Sequence, residues 1–155
     1  MVLIKYVRFK FEARIDEGEC PSGVNTETLE RIIDQIILNA LKVSSKGDTI
    51  RIRSERHGNN CRLEIEDEGS GIKTEHLPNI FKPFFTTKER GQGLALAGCR
   101  KSLIDMGGVI EVASEYGKGA AFILTIPREY SGKPPAADPI ATDVKGEKVR
   151  SVYRE

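Results

Sequence analysis

Between residues 26 and 43 the apolar positions Leu29, Ile32, Ile33, Ile36, Ile37, Ala40 and Leu41 recur at intervals of three and four, the spacing that lines one face of an α-helix. Asn25 and Thr26 stand where a capping side chain is wanted, so the pattern predicts a long amphipathic helix that starts there and ends near Val43. Before it, residues 2–13 are rich in β-branched and aromatic residues and alternate in part, with Tyr6, Arg8, Lys10 and Glu12 on one side, as a strand does. Residues 18–23 read as a turn. After the helix, Lys46-Gly47-Asp48 makes a turn, Ile50 and Ile52 alternate with Arg51 and Arg53, and Leu63 and Ile65 alternate with Glu64 and Glu66. With Gly58-Asn59-Asn60 between them, these two stretches predict a hairpin.

Residues 67–93 carry glycines, a Pro-Phe-Phe cluster and many polar residues, too irregular for one element and too long for a plain turn. Helical character returns over 94–106 and stops at Gly107-Gly108; strand-like segments 109–113 and 121–126 then flank Gly117-Lys118-Gly119. The whole is α+β, with helices on one face of a sheet. Beyond Pro127 the chain turns to Ser, Gly, Lys, Pro, Ala and Asp, which predicts a linker or disordered tail over 128–155 with no share in the core.

Composition narrows the functions open to this domain. The 155 residues hold 39% hydrophobic and 30% charged residues, enough for one core. Twenty-four Lys and Arg against 23 Asp and Glu leave a formal charge of +1, so no global field favours nucleic acid or an anionic membrane. No apolar run approaches the roughly 20 residues that cross a bilayer, and the first residues lack the apolar centre of a secretory signal. Cys20, Cys61 and Cys99 are odd in number, widely spaced and never in a C-x-x-C pair, which speaks against a disulfide framework or a zinc site and for reduced thiols in a cytoplasm.

Three places carry chemistry. Asp67-Glu68-Gly69-Ser70-Gly71 follows a strand; a carboxylate there accepts hydrogen bonds from an amine such as that of adenine, and the glycines admit a flat ligand, although an Asx-type turn needs the same residues. Gly91-Gln92-Gly93-Leu94 precedes a helix, whose amides, with Lys88 and Arg90 nearby, suit phosphate; the same glycines also serve as plain punctuation. Leu96 stands where a Rossmann fingerprint needs a third glycine, and no G-K-[ST] triplet exists for a P-loop. Asn39 and Lys42, three apart on the long helix, offer an amide oxygen for magnesium and a cation for phosphate, or are simply solvated polar residues.

The ordered set is sharper than its parts. Asn39-Ala40, Asp67-x-Gly69-x-Gly71, the stretch IFKPFFTTK at 80–88, Gly91-x-Gly93-Leu94 and Gly117-x-Gly119 together resemble the N, G1, F, G2 and terminal glycine boxes of histidine-kinase ATPase domains. The resemblance runs from about residue 26 to 127, and IFKPFFTTK is its most specific part, typical of sensor kinases rather than of the gyrase B, heat-shock chaperone and mismatch-repair relatives. It implies a Bergerat-type ATP-binding fold: a two-layer α/β sandwich with a mixed, mostly antiparallel sheet and helices on one face, in a domain of residues 1–127 with a mobile lid at about 73–93.

By the same resemblance Asn39 binds Mg2+, Lys42 contacts phosphate, Asp67 takes the adenine amine, and Gly69, Gly71 and Ile72 line the base pocket. Lys88 lies near the phosphates, and Gly91, Gln92, Gly93 and Leu94 form the hinge of the lid. Four positions depart from the family pattern. Gln35 stands where hydrolases carry a general-base glutamate; a neutral amide is a poor proton acceptor, so water activation is disfavoured and no residue is assigned as a base. Ala95 replaces a glycine, Val43 an aromatic residue near the base, and Ala120 a frequent threonine.

The function implied is the ATP-binding catalytic domain of a two-component sensor histidine kinase, binding Mg-ATP and transferring the γ-phosphate to a histidine on a dimerisation helix outside this sequence. That helix is expected upstream or on another chain, a response regulator receiver domain is an indirect partner, and nucleic acid and membrane contact are not expected. His57 and His76 read as surface residues rather than phosphoacceptors. The expected setting is cytoplasmic, including the cytoplasmic part of a membrane-bound sensor, and the fragment is expected to be monomeric. Ala95 and Ala120 motivate an alternative, a nucleotide-sensing or degenerate ATPase module that binds ATP without phosphotransfer; a serine kinase of the anti-sigma type shares the pocket but lacks the PFFTTK element.

Overall fold

A computed structural model describes residues 10–14, 24–89, 91–129 and 149–151. The strand expected over 2–13 enters this range only at its end, and the turn at 18–23 lies outside the described residues. The elements run β1 (Lys10–Arg14), α1 (Thr26–Val43), β2 (Thr49–His57), β3 (Asn60–Asp67), a 3-10 turn (Leu77–Asn79), α2 (Ala95–Asp105), β4 (Val109–Glu115), β5 (Gly119–Pro127) and β6 (Val149–Ser151). They form one six-stranded sheet in the order β1-β2-β3-β5-β4-β6. β1 pairs parallel to β2 and every other pairing is antiparallel, so the sheet is mixed and mostly antiparallel.

α1 begins where Asn25, in extended conformation, accepts a hydrogen bond from the Thr28 amide at 3.0 Å. Its apolar stripe is the one read from the sequence. Ile32, Ile36 and Ala40 are buried, while Leu29, Ile33, Ile37 and Leu41 flank them against the core. The strands meet this stripe through alternate residues. Ile52 pairs with Ile65, Ile65 with Phe122 and Phe122 with Val112; Leu63 pairs with Leu124 and Leu124 with Ile110. All belong to the same apolar cluster as α1 and the α2 residues Cys99 and Leu103, which places both helices on one face. Ile36, Leu103, Val112 and Leu124 are fully buried, each worth about 1.5–3 kcal/mol of transfer free energy. The intervening positions carry Arg53, Glu55, Arg62, Glu64 and Glu66; Arg53 pairs with Glu64 and Glu66, and Arg62 with Glu55, between β2 and β3 on the other face, while Arg62 also pairs with Glu64 along β3.

Two details add to the expected layout. Within the tail over 128–155, expected as a linker or disordered tail with no share in the core, Val149–Ser151 forms a strand that pairs with Ser114, Ala113 and Val112 of β4. Edge pairing runs through backbone groups, which the polar composition of the tail does not reveal. Within the segment 73–93, read as a lid, Leu77, Ile80 and Phe81 are core residues, with the Phe81 ring edge-on to Phe122 at 6.4 Å; Phe85 packs half-buried against the core, and the other described residues of 82–92 are exposed.

Candidate functional site

The antiparallel register brings Asp67, at the end of β3, opposite Ala120 of β5, and Ala120 opposite Ser114 of β4. Asp67 thereby takes the helix-side row of the sheet and is buried, with 4% of its surface exposed. One carboxylate oxygen accepts from the Gly69 amide at 2.8 Å, closing the turn. Burial pushes the carboxyl above its usual range, against the amides of Gly69 and Ala120, which pull it down; Glu66 and Asp48 add smaller upward pushes. This carboxylate is therefore partly dressed in backbone hydrogen bonds and short of solvation.

The turn after Asp67 is stitched to its surroundings at several points. Gly71 has φ +67°, and a Cβ there would run into the Glu115 carbonyl; a Cβ on Gly119 would run into the Asp67 carbonyl. The Gly117 amide donates to the Ser70 carbonyl at 2.7 Å. The Ile72 amide donates to the Ser114 hydroxyl, which itself donates to the Gly119 carbonyl, both at 2.8 Å. Glu68 points away and accepts from the Thr49 amide at 2.9 Å and from Arg51 at 2.7 Å, contacts that lower its carboxyl in that order. Sequence reasoning missed Ser114 and Glu68. Their signals were a serine inside an apolar strand and an acid beside the predicted acceptor.

α1 reaches this turn with its last residue. The Val43 carbonyl oxygen lies 2.6 Å, and its Cγ2 2.7 Å, from where a Cβ on Gly69 would stand. Asn39 is one helical turn before Val43 and Gln35 one turn before that; both are half-buried, and Lys42 is exposed. Just past the helix, the Ser44 hydroxyl is buried without a hydrogen-bond partner among the described residues.

From the other side comes the exposed loop. Phe84 sits at φ +67°, unusual for a residue with a side chain, and donates its amide to the Gly93 carbonyl at 2.9 Å. Gly93, at φ +68°, packs so closely that a Cβ would lie 2.5 Å from the Phe84 carbonyl carbon. Thr86 accepts from the Lys88 amide at 3.1 Å, and the Gly91 amide donates to the Lys88 carbonyl at 3.1 Å, which rounds the loop. Arg90 lies outside the described residues. α2 then starts behind Leu94, which offers no side-chain cap, so its first amides lack the service that Asn25 gives α1. Lys88 is exposed, yet its ammonium is held below the usual range, first by the protein crowded around its base and then by the charge of Lys42. Gln92 and Leu94 are exposed, Gly93 and Ile72 half-buried. α1 thus relates the two groups, with Val43 against Gly69 at one and the charge of Lys42 felt at Lys88 at the other.

His57 is exposed; His76 is half-buried at the surface, with its ring 5.6 Å from that of Phe85. A depression of about 80 Å³ is lined by residues of both alternating rows, Asp67, Ser114 and Ala120 of the helix-side row and Glu66, Ala113 and Ala121 of the other. It is far below the roughly 300–1,000 Å³ of ligand pockets.

A family profile described as histidine kinase-, DNA gyrase B-, and HSP90-like ATPase matches residues 24–130. The chain belongs to that family. Among its relatives, this ATPase domain is 32% identical over 108 residues to Sporulation kinase C of Bacillus subtilis and 34% identical over 109 residues to the sensor histidine kinase ZraS of Escherichia coli. Each match takes in 70% of this chain but 25% and 23% of the relatives, so the chain spans about a quarter of their length. Among solved structures it is similar to the nucleotide-free catalytic domain of the histidine kinase ThkA, with a TM-score of 0.68 and 28% identity over 81% of this chain and 82% of that one. ThkA in complex with the response regulator TrrA is also similar, with a TM-score of 0.64 and 26% identity over 77% of this chain and 34% of that one. The match covers the ATP-binding catalytic domain of sensor histidine kinases.

Proposed function

We propose that this domain binds Mg-ATP between α1, the Asp67 turn and the Lys82–Gln92 loop, and delivers the γ-phosphoryl group to a histidine on a helical segment outside this sequence. The observation that carries the reading is the reach of α1, which meets the carboxylate turn through Val43 and Gly69 and carries Lys42 into electrostatic range of Lys88. Two ammonium groups that repel one another are a place for a polyanion.

In this reading the Asp67 carboxylate accepts from the adenine amine while Gly69, Gly71 and Ile72 form the wall behind the base. Lys42, Lys88, the amides at Gln92, Gly93 and Leu94 and the first turn of α2 take the phosphates, while the Gly91 amide, bonded to the Lys88 carbonyl, shapes the loop that holds them. Among the described residues no cluster of three His, Cys, Asp or Glu side chains could hold a metal by itself. The half-buried Asn39 offers one hard oxygen, which suits magnesium held mainly by phosphates and water. When bound, that ion would neutralise charge on the triphosphate. The acceptor imidazole nitrogen forms the new P–N bond as the bond from the γ phosphorus to the β,γ-bridging oxygen breaks, and ADP leaves with the electron pair. Gln35 supplies no base for water, which favours transfer over hydrolysis.

Among the described residues no helix is long and apolar enough to cross a membrane. We place the domain on the cytoplasmic side, its phosphohistidine partner passing the group to a response regulator. The test incubates the chain with γ-labelled ATP, magnesium and a histidine-bearing helical hairpin from a related kinase. Acid-labile, alkali-stable label on the hairpin supports the reading. ATP binding without label on any hairpin would assign a nucleotide-sensing module instead.

A further inference from the structure

Ser114 has no role in the reading above, yet it is a buried hydroxyl, 5% exposed, in a cross-strand row with Ile50, Asp67 and Ala120. A hydroxyl on that row needs partners, and it has two. It accepts from the Ile72 amide, 42 residues away in sequence, and donates to the Gly119 carbonyl, five residues ahead. The first contact lies at the end of the Asp67–Gly71 turn. The second lies on the residue whose missing Cβ allows the strand to touch the Asp67 carbonyl. One oxygen therefore spans the two segments between which Asp67 is suspended.

We propose that Ser114 is the positioning residue of the base pocket, setting the height of the Asp67–Ile72 turn over β4 and β5 and so the aim of the Asp67 carboxylate. The proposal rests on the functional reading given above and adds to it a residue that touches no ligand. The other ties of the turn do not replace it. Glu68 fixes the outer edge of the turn to Thr49 and Arg51, and the Gly117 amide holds Ser70. Only a group on the helix-side row can hold Ile72 while leaving the space above Ala120 open, and a residue smaller than serine at 114 leaves both Ile72 N–H and Gly119 C=O short of a partner. A carboxylate displaced by a fraction of an ångström keeps its charge but loses the alignment on which a hydrogen bond depends.

The effect belongs to the base end of the site alone, which separates it from a general loss of stability. Adenosine, ATP and inorganic triphosphate are titrated into the full chain and into Ser114→Ala, Ser114→Thr and Ile126→Val, the last a core change at the far end of β5 that lowers stability without touching the turn. Amide exchange of Ile72 is followed in each. Ser114→Ala is expected to lose about tenfold in affinity for both adenosine and ATP, to leave triphosphate unchanged, and to lose exchange protection at Ile72. Ser114→Thr, which keeps the hydroxyl, restores all three, and Ile126→Val binds as the native chain does. Should Ser114→Ala not fold, Ser114→Cys, with its weaker donor and acceptor, is expected to show the same pattern in smaller measure. Native adenosine affinity in Ser114→Ala or Ser114→Cys, failure of threonine to restore it, or an equal loss for triphosphate would overturn the proposal alone. A native chain that binds neither ATP nor adenosine would overturn the functional reading and this proposal with it.

Discussion

The carbonyl oxygen of Val43, at the end of α1, lies 2.6 Å from the point where a Cβ on Gly69 would stand. A glycine there lets the helix end and the carboxylate turn touch backbone to backbone, which carries Asn39, one helical turn earlier, toward the Asp67 side of the molecule. Replacing Gly69 by alanine forces a backbone to move, because the Val43 carbonyl is not a flexible tip. We expect Gly69→Ala to cost about 1–3 kcal/mol of stability through overpacking and to weaken ATP binding by more than about tenfold. Chemical denaturation and calorimetric titration on the same variant measure the two effects separately.

Asp67 provides a test in which stability and binding move in opposite directions. Its carboxyl is raised, chiefly by burial, so the folded chain holds this proton to a higher pH than the unfolded chain does. The sign follows: its contribution to folding is most favourable below the unfolded carboxylate range and is lost as pH rises through the raised value. Asp67→Asn removes the buried charge and is expected to raise the melting temperature at neutral pH. The same change removes the charged acceptor and is expected to weaken ATP by about 10- to 100-fold, the worth of a charge-assisted hydrogen bond. In the native chain, ATP affinity is expected to decline as pH is lowered through the raised value, above the point where ordinary carboxylates protonate; calorimetry across a pH series reads this directly.

Much of the scaffold was legible because it obeys two periods. Seven apolar residues at helical spacing fixed α1, and alternation of isoleucine and leucine with arginine and glutamate fixed the β2–β3 hairpin. The ends of β4 and β5 were read short because Ser114, Glu115 and Gly119 are not strand-like in isolation; the register with Ala120 and the hydroxyl of Ser114 hold them in the ladder. Long-range relations were the hidden part. Nothing local marks that Ile72 will bond to Ser114, that Glu68 will reach Thr49, or that Val149–Ser151 will join an edge. The motif residues themselves were legible as chemistry, but the contact between Val43 and Gly69 exists only once the sheet has brought the end of α1 over the turn.

Lys88 and Lys42 oppose like charges, and the ammonium of Lys88 is held down by its surroundings first and by Lys42 second. A triphosphate placed between them would raise it again. ATP binding at a pH high enough for Lys88 to have begun losing its proton is therefore expected to take up protons, detected as a dependence of the calorimetric heat on the ionisation enthalpy of the buffer. Lys88→Ala is expected to abolish that uptake and to weaken ATP while leaving adenosine affinity within about twofold, since the charge acts on the phosphates alone.

Gln35 lies one helical turn from Asn39 on α1 and is half-buried. Gln35→Glu places a proton acceptor beside the site and is expected to raise ATP hydrolysis in the absence of an acceptor histidine by about 100-fold or more, the usual contribution of a general base. Phosphate release assayed on the chain alone measures it. An unchanged rate would place Gln35 too far from the γ-phosphate to address water.

The convergence of α1, the Asp67 turn and the Lys82–Gln92 loop on one nucleotide is tested most directly by a crystal structure of the chain with magnesium and a non-hydrolysable ATP analogue. The expected result has the adenine amine within hydrogen-bond distance of the Asp67 carboxylate and, on the same molecule, the Asn39 amide oxygen at the triphosphate-bound magnesium. A nucleotide that touches Asp67 and leaves Asn39 facing solvent, or one bound on the outer face of the sheet, would contradict the account.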